Sequence, residues 1–186
     1  MLRITIPARP QLEFYDEENE TFIELPAVKE QTLQLEHSLV SLRKWESKWC
    51  KPFLSRKKLT DEETIDYIRC MTLTQNVPPE VYDNIPDSII EEVSEYIAAP
   101  MTATWFAEDR SGKANKETVT AELICYWMIA LNIPFECQKW HLNSLLTLIK
   151  VCNIKNTPPK KMSKSAIMSR NAQLNAARRK QLNSKG

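Results

Sequence analysis

The sequence predicts an α+β fold, predominantly helical, with a small N-terminal β-hairpin or sheet packed on a helical bundle and a basic C-terminal tail. Three observations predict it. Leu2, Ile4 and Ile6 alternate with Arg3 and Thr5, which is the period of a half-buried strand. From Ser38 onward, apolar residues recur instead at helical spacing between capping residues and prolines. Finally, nine of the 25 basic residues and none of the 24 acidic ones lie from Asn153 to Gly186. That leaves 16 basic and 24 acidic residues before Asn153, a formal −8 against +9 in the tail.

The elements follow in order. Leu12 and Phe14 continue the first strand, Asp16-Glu17-Glu18-Asn19 supplies turn residues, and Thr21 to Leu25 returns, so a hairpin is expected. Thr32 to Glu36 adds a third strand. So small a sheet needs a helix over one face. Ser38 caps a helix with Leu39, Leu42, Trp45, Glu46 and Trp49 near one stripe, ended by Pro52. Thr60-Asp61-Glu62-Glu63 reads as a capping box, with Ile65, Ile68 and Met71 or Thr72 on the buried side of the helix it starts. Pro78-Pro79-Glu80 opens a short turn of helix through Tyr82. Pro86-Asp87-Ser88 opens another helix, with Ile89, Ile90, Val93 and Ile97 inward. Met101 to Phe106 is β-branched and aromatic, a strand or an extended connection, and Asp109 to Asn115 is a loop.

Two long helices complete the body. Lys116 to Leu131 is apolar nearly all round, the mark of a buried central helix. After the break at Asn132-Ile133-Pro134, Phe135 to Cys152 places Leu142, Leu145, Leu146, Ile149 and Cys152 inward. So short a connection implies an antiparallel pair, expected as the heart of the core. Residues 1–36 thus form a β-rich segment, 37–155 a helical core of the same domain, and 156–186 the basic tail beyond Asn156-Thr157-Pro158-Pro159. Ser163 to Gln181 is rich in helix formers with a thin apolar stripe, and is expected to be helical only when docked on a partner.

Composition excludes several classes. Phosphate loops and dinucleotide folds need several glycines for close backbone approach, and only Gly112 and Gly186 are present. Five cysteines, odd in number and widely spaced, read as reduced thiols in a cytosolic compartment. The longest apolar stretch, Leu123 to Leu131, is far short of the roughly 20 residues that span a bilayer, so no membrane partner is expected. MLRITIPARP lacks the basic start and apolar run of a secretory signal.

Candidate chemistry is sparse. Cys137 and His141, four apart beside Glu136, share one face if helical, but a structural zinc needs two further ligands and His37 is remote in sequence. As a nucleophilic pair they lack a third group to orient the imidazole. The carboxylate runs Asp16-Glu17-Glu18, Asp61-Glu62-Glu63 and Glu91-Glu92 sit at turns or helix starts, where they complement amide dipoles or face solvent. No enzymatic activity and no cofactor are expected. Trp45 and Trp49 alone interleave with basic residues (Arg43, Lys44, Lys48, Lys51), and a basic rim around two core tryptophans explains them as well as nucleobase stacking does.

The tail is the strongest functional feature. Lys160, Lys161, Lys164, Arg170, Arg178, Arg179 and Lys180 are the candidate partner-binding charges, and Leu174 is the candidate apolar anchor. Such a run suits phosphate, an acidic protein surface, or water alone. Its mixed Ala, Met and Leu content favours a recruited helix over a plain polycation. Opposite charges on body and tail also allow self-association.

The blocks LEHSLVSLRKWESKWCKPFL (35–54), MTATWF (101–106), TAELICYWMIALNIPFECQKWHLNSLLTLIKVCNIKN (120–156) and PPKKMSKSAIMSRNAQLNAARRKQLNSKG (158–186) cover most of the chain. They resemble tailed-bacteriophage morphogenesis proteins of the tail assembly chaperone type. The resemblance implies a protein made in the host cytoplasm during assembly, whose partner is the tape measure protein or tail-tube subunits. Chaperones of this type often also exist in a longer, frameshifted form. The blocks carry no catalytic signature. Two further classes are a structural virion component (a connector, or a tail- or capsid-associated protein) using the basic tail as an arm, and a nucleic-acid binder.

Overall fold

A computed structural model describes residues 1–16, 20–55, 58–106, 117–157 and 164–182. The chain divides into two compact units, Met1–Cys152 and Asn153–Gly186. The first is the predicted α+β body, a small antiparallel β-structure followed by a mainly helical remainder.

Strand β1 (Leu2–Ile6) pairs antiparallel with β4 (Gln31–Leu35), and β2 (Leu12–Asp16) pairs with β3 (Thr21–Leu25). One register runs through both pairs. Leu2 faces Leu35, Arg9 faces Val28 through an isolated bridge, and Asp16 faces Thr21. The segment is therefore a single long two-stranded ribbon, in which the expected third strand is the returning partner of the first. Pro7, Pro10 and Pro26 interrupt the ladder because proline supplies no amide donor. The turn residues Glu17 to Asn19 lie outside the described residues. At the body end, Ile4, Ile6, Leu33 and Leu35 are buried.

Helix α1 (Leu39–Trp49) starts in a reciprocal cap. The Ser41 amide donates to Ser38 Oγ at 3.3 Å, and the Ser38 amide donates to Ser41 Oγ at 2.9 Å. It ends at Cys50, which takes the left-handed conformation (φ 51°) usually given to glycine. In a chain with two glycines, Asn76 and Asn132 fill similar positions. Helix α2 (Asp61–Met71) opens on the predicted box, in which Glu63 accepts from the Thr60 amide and Thr60 Oγ1 from the Glu63 amide. The short α3 (Pro79–Tyr82) and α4 (Asp87–Ala98) follow as expected, with Val93 and Tyr96 buried and Ile89, Ile90 and Ile97 packed beside them.

Two hydrophobic clusters form the core. One holds Ile4, Ile6, Leu33 and Leu35 of the ribbon with Trp45, Tyr67, Ile68, Met71, Val93 and Tyr96. The other holds Leu39 and Leu42 of α1 with residues of α5 (Ala121–Ala130) and α6 (Leu142–Asn156), including Ile124, Met128, Leu145 and Ile149. Helix α1 contributes to both clusters. The expected heart of the core, the last helix pair, is thus one of two clusters, and the element joining them is α1.

Three further expectations change. Helix α5 starts at Ala121, because Thr120 Oγ1 caps it by accepting from the Leu123 amide. It is not buried all round, since Tyr126 and Ile129 are exposed on its outer side. Phe135–Lys139 is a separate 3-10 turn, and α6 begins only at Leu142. A continuous helix would aim the Leu142 amide at the preceding turn. It donates instead to the His37 carbonyl at 2.7 Å, beside a Ser38–His141 bridge. Of the two alternatives for Met101 to Phe106, strand or connection, the structure has the connection, irregular in course and with Met101 at φ 46°. The loop expected over Asp109 to Asn115 lies outside the described residues.

Glu46 ties α1 to α5. Its buried carboxylate accepts from the Ala121 amide at 2.7 Å and from the Phe53 amide at 2.9 Å, placing negative charge at the first turn of α5. Glu46→Ala leaves both amides without that partner and is expected to cost about 2 kcal/mol. Urea unfolding of the variant checks this, and an unchanged midpoint would refute it.

Candidate partner-binding surfaces

The second unit contains α7 (Lys164–Leu182), which is helical in the chain by itself rather than only when docked on a partner, as its many strong helix formers favour. At 3.6 residues per turn, Ile167, Arg170, Leu174 and Arg178 fall within about 80° of one another. All four are exposed, Leu174 at 46%. The structure thus sets the predicted anchor Leu174 between Arg170 and Arg178 on one stripe, with Lys164 and Arg179 exposed to one side of it. Lys160 and Lys161 lie outside the described residues, and of Lys180 only its place in the helix is described. Ile167 extends the stripe and was legible from its spacing of seven to Leu174.

The body carries a second exposed surface, at the far end of the ribbon. Tyr15 and Phe22 are register partners with ring centroids 5.0 Å apart, exposed at 50% and 68%. Beside them Glu13 and Glu24, also register partners, are both exposed. Like charges directly opposite on a ribbon destabilise it, so this pair stores repulsion that a cation would relieve. The sequence signal was Glu13 and Tyr15 alternating with Leu12 and Phe14.

Residues weighed for catalysis or metal binding are used structurally. Cys137 is buried in the second core cluster, while His141 has left the turn that holds Cys137. His141 Nε2–H donates to the Tyr96 carbonyl at 3.1 Å, and its Nδ1 accepts from the Asn143 amide at 3.3 Å. Both nitrogens are engaged in one neutral tautomer. His37, remote in sequence, lies with its ring centroid 5.1 Å from that of His141, and its Nδ1 is 2.6 Å from the Tyr67 hydroxyl. Burial, and then the neighbouring His141, lower the His37 pKa from 6.5 to about 3; burial also lowers that of His141. Among the described residues no group of three or more His, Cys, Asp or Glu is arranged to hold a metal ion. Burial, with Asp66 nearby, pushes the Cys70 thiol up to about 11, which disfavours the reactive thiolate.

Among the described residues the carboxylate runs do not converge either. Glu63 is buried as a cap and pairs with Lys51 at 2.8 Å, while Asp61, Glu62, Glu91 and Glu92 are exposed. Glu17 and Glu18 lie outside the described residues. Trp45 is fully buried, and its indole N–H donates to the Glu63 carbonyl at 3.0 Å. Trp49 donates to Asp66 Oδ2 and lies under Lys51, 5.1 Å from its ring centroid. The basic residues there rim a structural tryptophan pair, and Trp45 offers no face to a nucleobase. Among the described residues, no helix is long and apolar enough to cross a membrane.

No family model, curated protein or solved structure matches this chain.

Proposed function

We propose that this chain is a non-enzymatic assembly protein of a tailed bacteriophage, of the tail assembly chaperone type, which binds tape measure or tail-tube subunits in the host cytoplasm. The observation that carries the reading is α7, whose Ile167–Arg170–Leu174–Arg178 stripe is exposed along its length. An apolar line flanked by fixed positive charge suits a groove on an acidic or amphipathic polypeptide. A pure phosphate binder has no use for the central leucine and isoleucine. The phage setting rests on the resemblance of the quoted blocks, which end in this same helix.

The test is co-purification from infected cells. Deleting Lys160 to Gly186 is expected to lower client recovery about tenfold or more, with the far-UV spectrum of the body retained. Undiminished recovery would refute the role of the tail. Abundant copies in purified virions would instead make the protein a structural component. Steep loss of binding with salt, together with recovery of nucleic acid, would make it a phosphate binder.

A further inference from the structure

We infer that the exposed acidic–aromatic face at the far end of the ribbon is a docking site for the C-terminal helix of a second copy of this chain, giving head-to-tail self-association. This inference is independent of the phage assignment.

Residues 12–25 contain six acidic residues and no basic one, whereas the chain from Asn153 onward contains nine basic residues and no acidic one. The acidic face repels phosphate, so nucleic acid is not its occupant. Each chain therefore carries a surface and its electrostatic complement.

On one face of the ribbon the Glu13–Glu24 pair lies two residues along from the Tyr15–Phe22 pair, a step of about 7 Å. Along α7, Arg170 and Arg178 are separated by about 12 Å, with Leu174 midway. Laid along the ribbon, the helix places Leu174 over the Tyr15–Phe22 pair and Arg178, about 6 Å further along, over the Glu13–Glu24 pair. The cross-strand Glu13–Glu24 pair, unfavourable by itself, then gains a counter-charge.

Tyr15 and Phe22 on the ribbon, and Ile167, Met168 and Leu174 on α7, are large apolar side chains open to solvent. Their mutual burial supplies the non-directional part of the contact, and the charges set its register. Because the two surfaces differ, the contact is heterologous. It builds either a reciprocal closed dimer or an open chain of copies, depending on the rotation between neighbours.

The experiment uses full-length proteins and sedimentation velocity across protein concentration at low and high salt. The unaltered chain is expected to associate with rising concentration at low salt and to dissociate at high salt. Glu13→Lys with Glu24→Lys removes the docking face and keeps the helix. Arg178→Glu with Arg179→Glu does the reverse. Each double variant alone is expected to be monomeric. Their equimolar mixture is expected to form a dimer, because one chain retains the helix and the other the face. Unchanged thermal melting of each variant would show that the body is intact. A monomer at every concentration, association that survives in either variant, or a mixture that stays monomeric would each overturn the inference.

Discussion

Acidification from neutrality through pH 6.5 toward pH 3 is expected to remove on the order of 4 kcal/mol from the stability of the body. The cause is the buried histidine pair. His37 is 2% exposed, and its folded-state pKa is lowered from 6.5 to about 3 by burial first and by His141 second. Between those values the unfolded chain binds a proton that the folded chain refuses. Its stability is therefore complete above 6.5 and falls as pH drops through the window, by about 1.4 kcal/mol per unit at most. His141 shifts in the same direction and steepens the loss. Around the pair stand the Tyr67 hydroxyl, the Tyr96 ring and the Glu36 carboxylate, which accepts from the Tyr96 hydroxyl at 2.7 Å and pairs with the N-terminal ammonium at 3.0 Å. The measurement is the urea midpoint as a function of pH. His37→Gln, which can still bond the Tyr67 hydroxyl, is expected to give a flatter curve. An equally steep curve would remove His37 as the cause.

The pair also shows where sequence reading stops. His37 and His141 are brought together by a backbone bond from the Leu142 amide to the His37 carbonyl and by the adjacent bridge. No local periodicity encodes such a contact. What was legible was local. The alternation of Leu2, Ile4 and Ile6 gave β1, the Thr60–Glu63 box gave the start of α2, and Asn132 and Pro134 gave the end of α5. Each signal acts within one turn or one strand, where sterics and capping dominate.

The misread elements share a different cause. Helix α5 is apolar on every side, and composition alone cannot say which side has a partner; Tyr126 and Ile129 face solvent. Phe135 to Lys139 has helical character, but tertiary hydrogen bonding at His141 and Leu142 overrides its continuation. Glu46 looked like a member of an apolar stripe, and its role at the start of α5 appears only once two distant elements meet. At the surface, the stripe of α7 was legible because helical spacing alone places Leu174 between two arginines. The Glu13–Glu24 and Tyr15–Phe22 pairs required the register of the ribbon, which sequence did not fix.

Trp45→Ala is expected to cost about 4 kcal/mol, enough to unfold a marginal domain. Trp45 is fully buried in the first core cluster, on the same helix that lends Leu39 and Leu42 to the second. Its ring stacks on Trp49 with centroids 6.0 Å apart and meets Phe53 edge-on at 5.1 Å. Phe53 stacks on Tyr67 at 4.0 Å, Tyr67 meets His37 at 5.8 Å, and His37 and His141 continue to Tyr96. This unbroken line of seven rings runs from the end of α1 across α2 to α4, linking elements that share no local sequence signal. Truncation at Trp45 empties the space between α1 and α2 and strips the Glu63 carbonyl of its indole donor. Trp45→Phe keeps most of the packing and loses the donor, so about half the penalty is expected. Equal losses for the two variants would place the energy in the hydrogen bond rather than in the packing. A loss below about 1 kcal/mol for Trp45→Ala would show that the line of rings does not hold the two helices together.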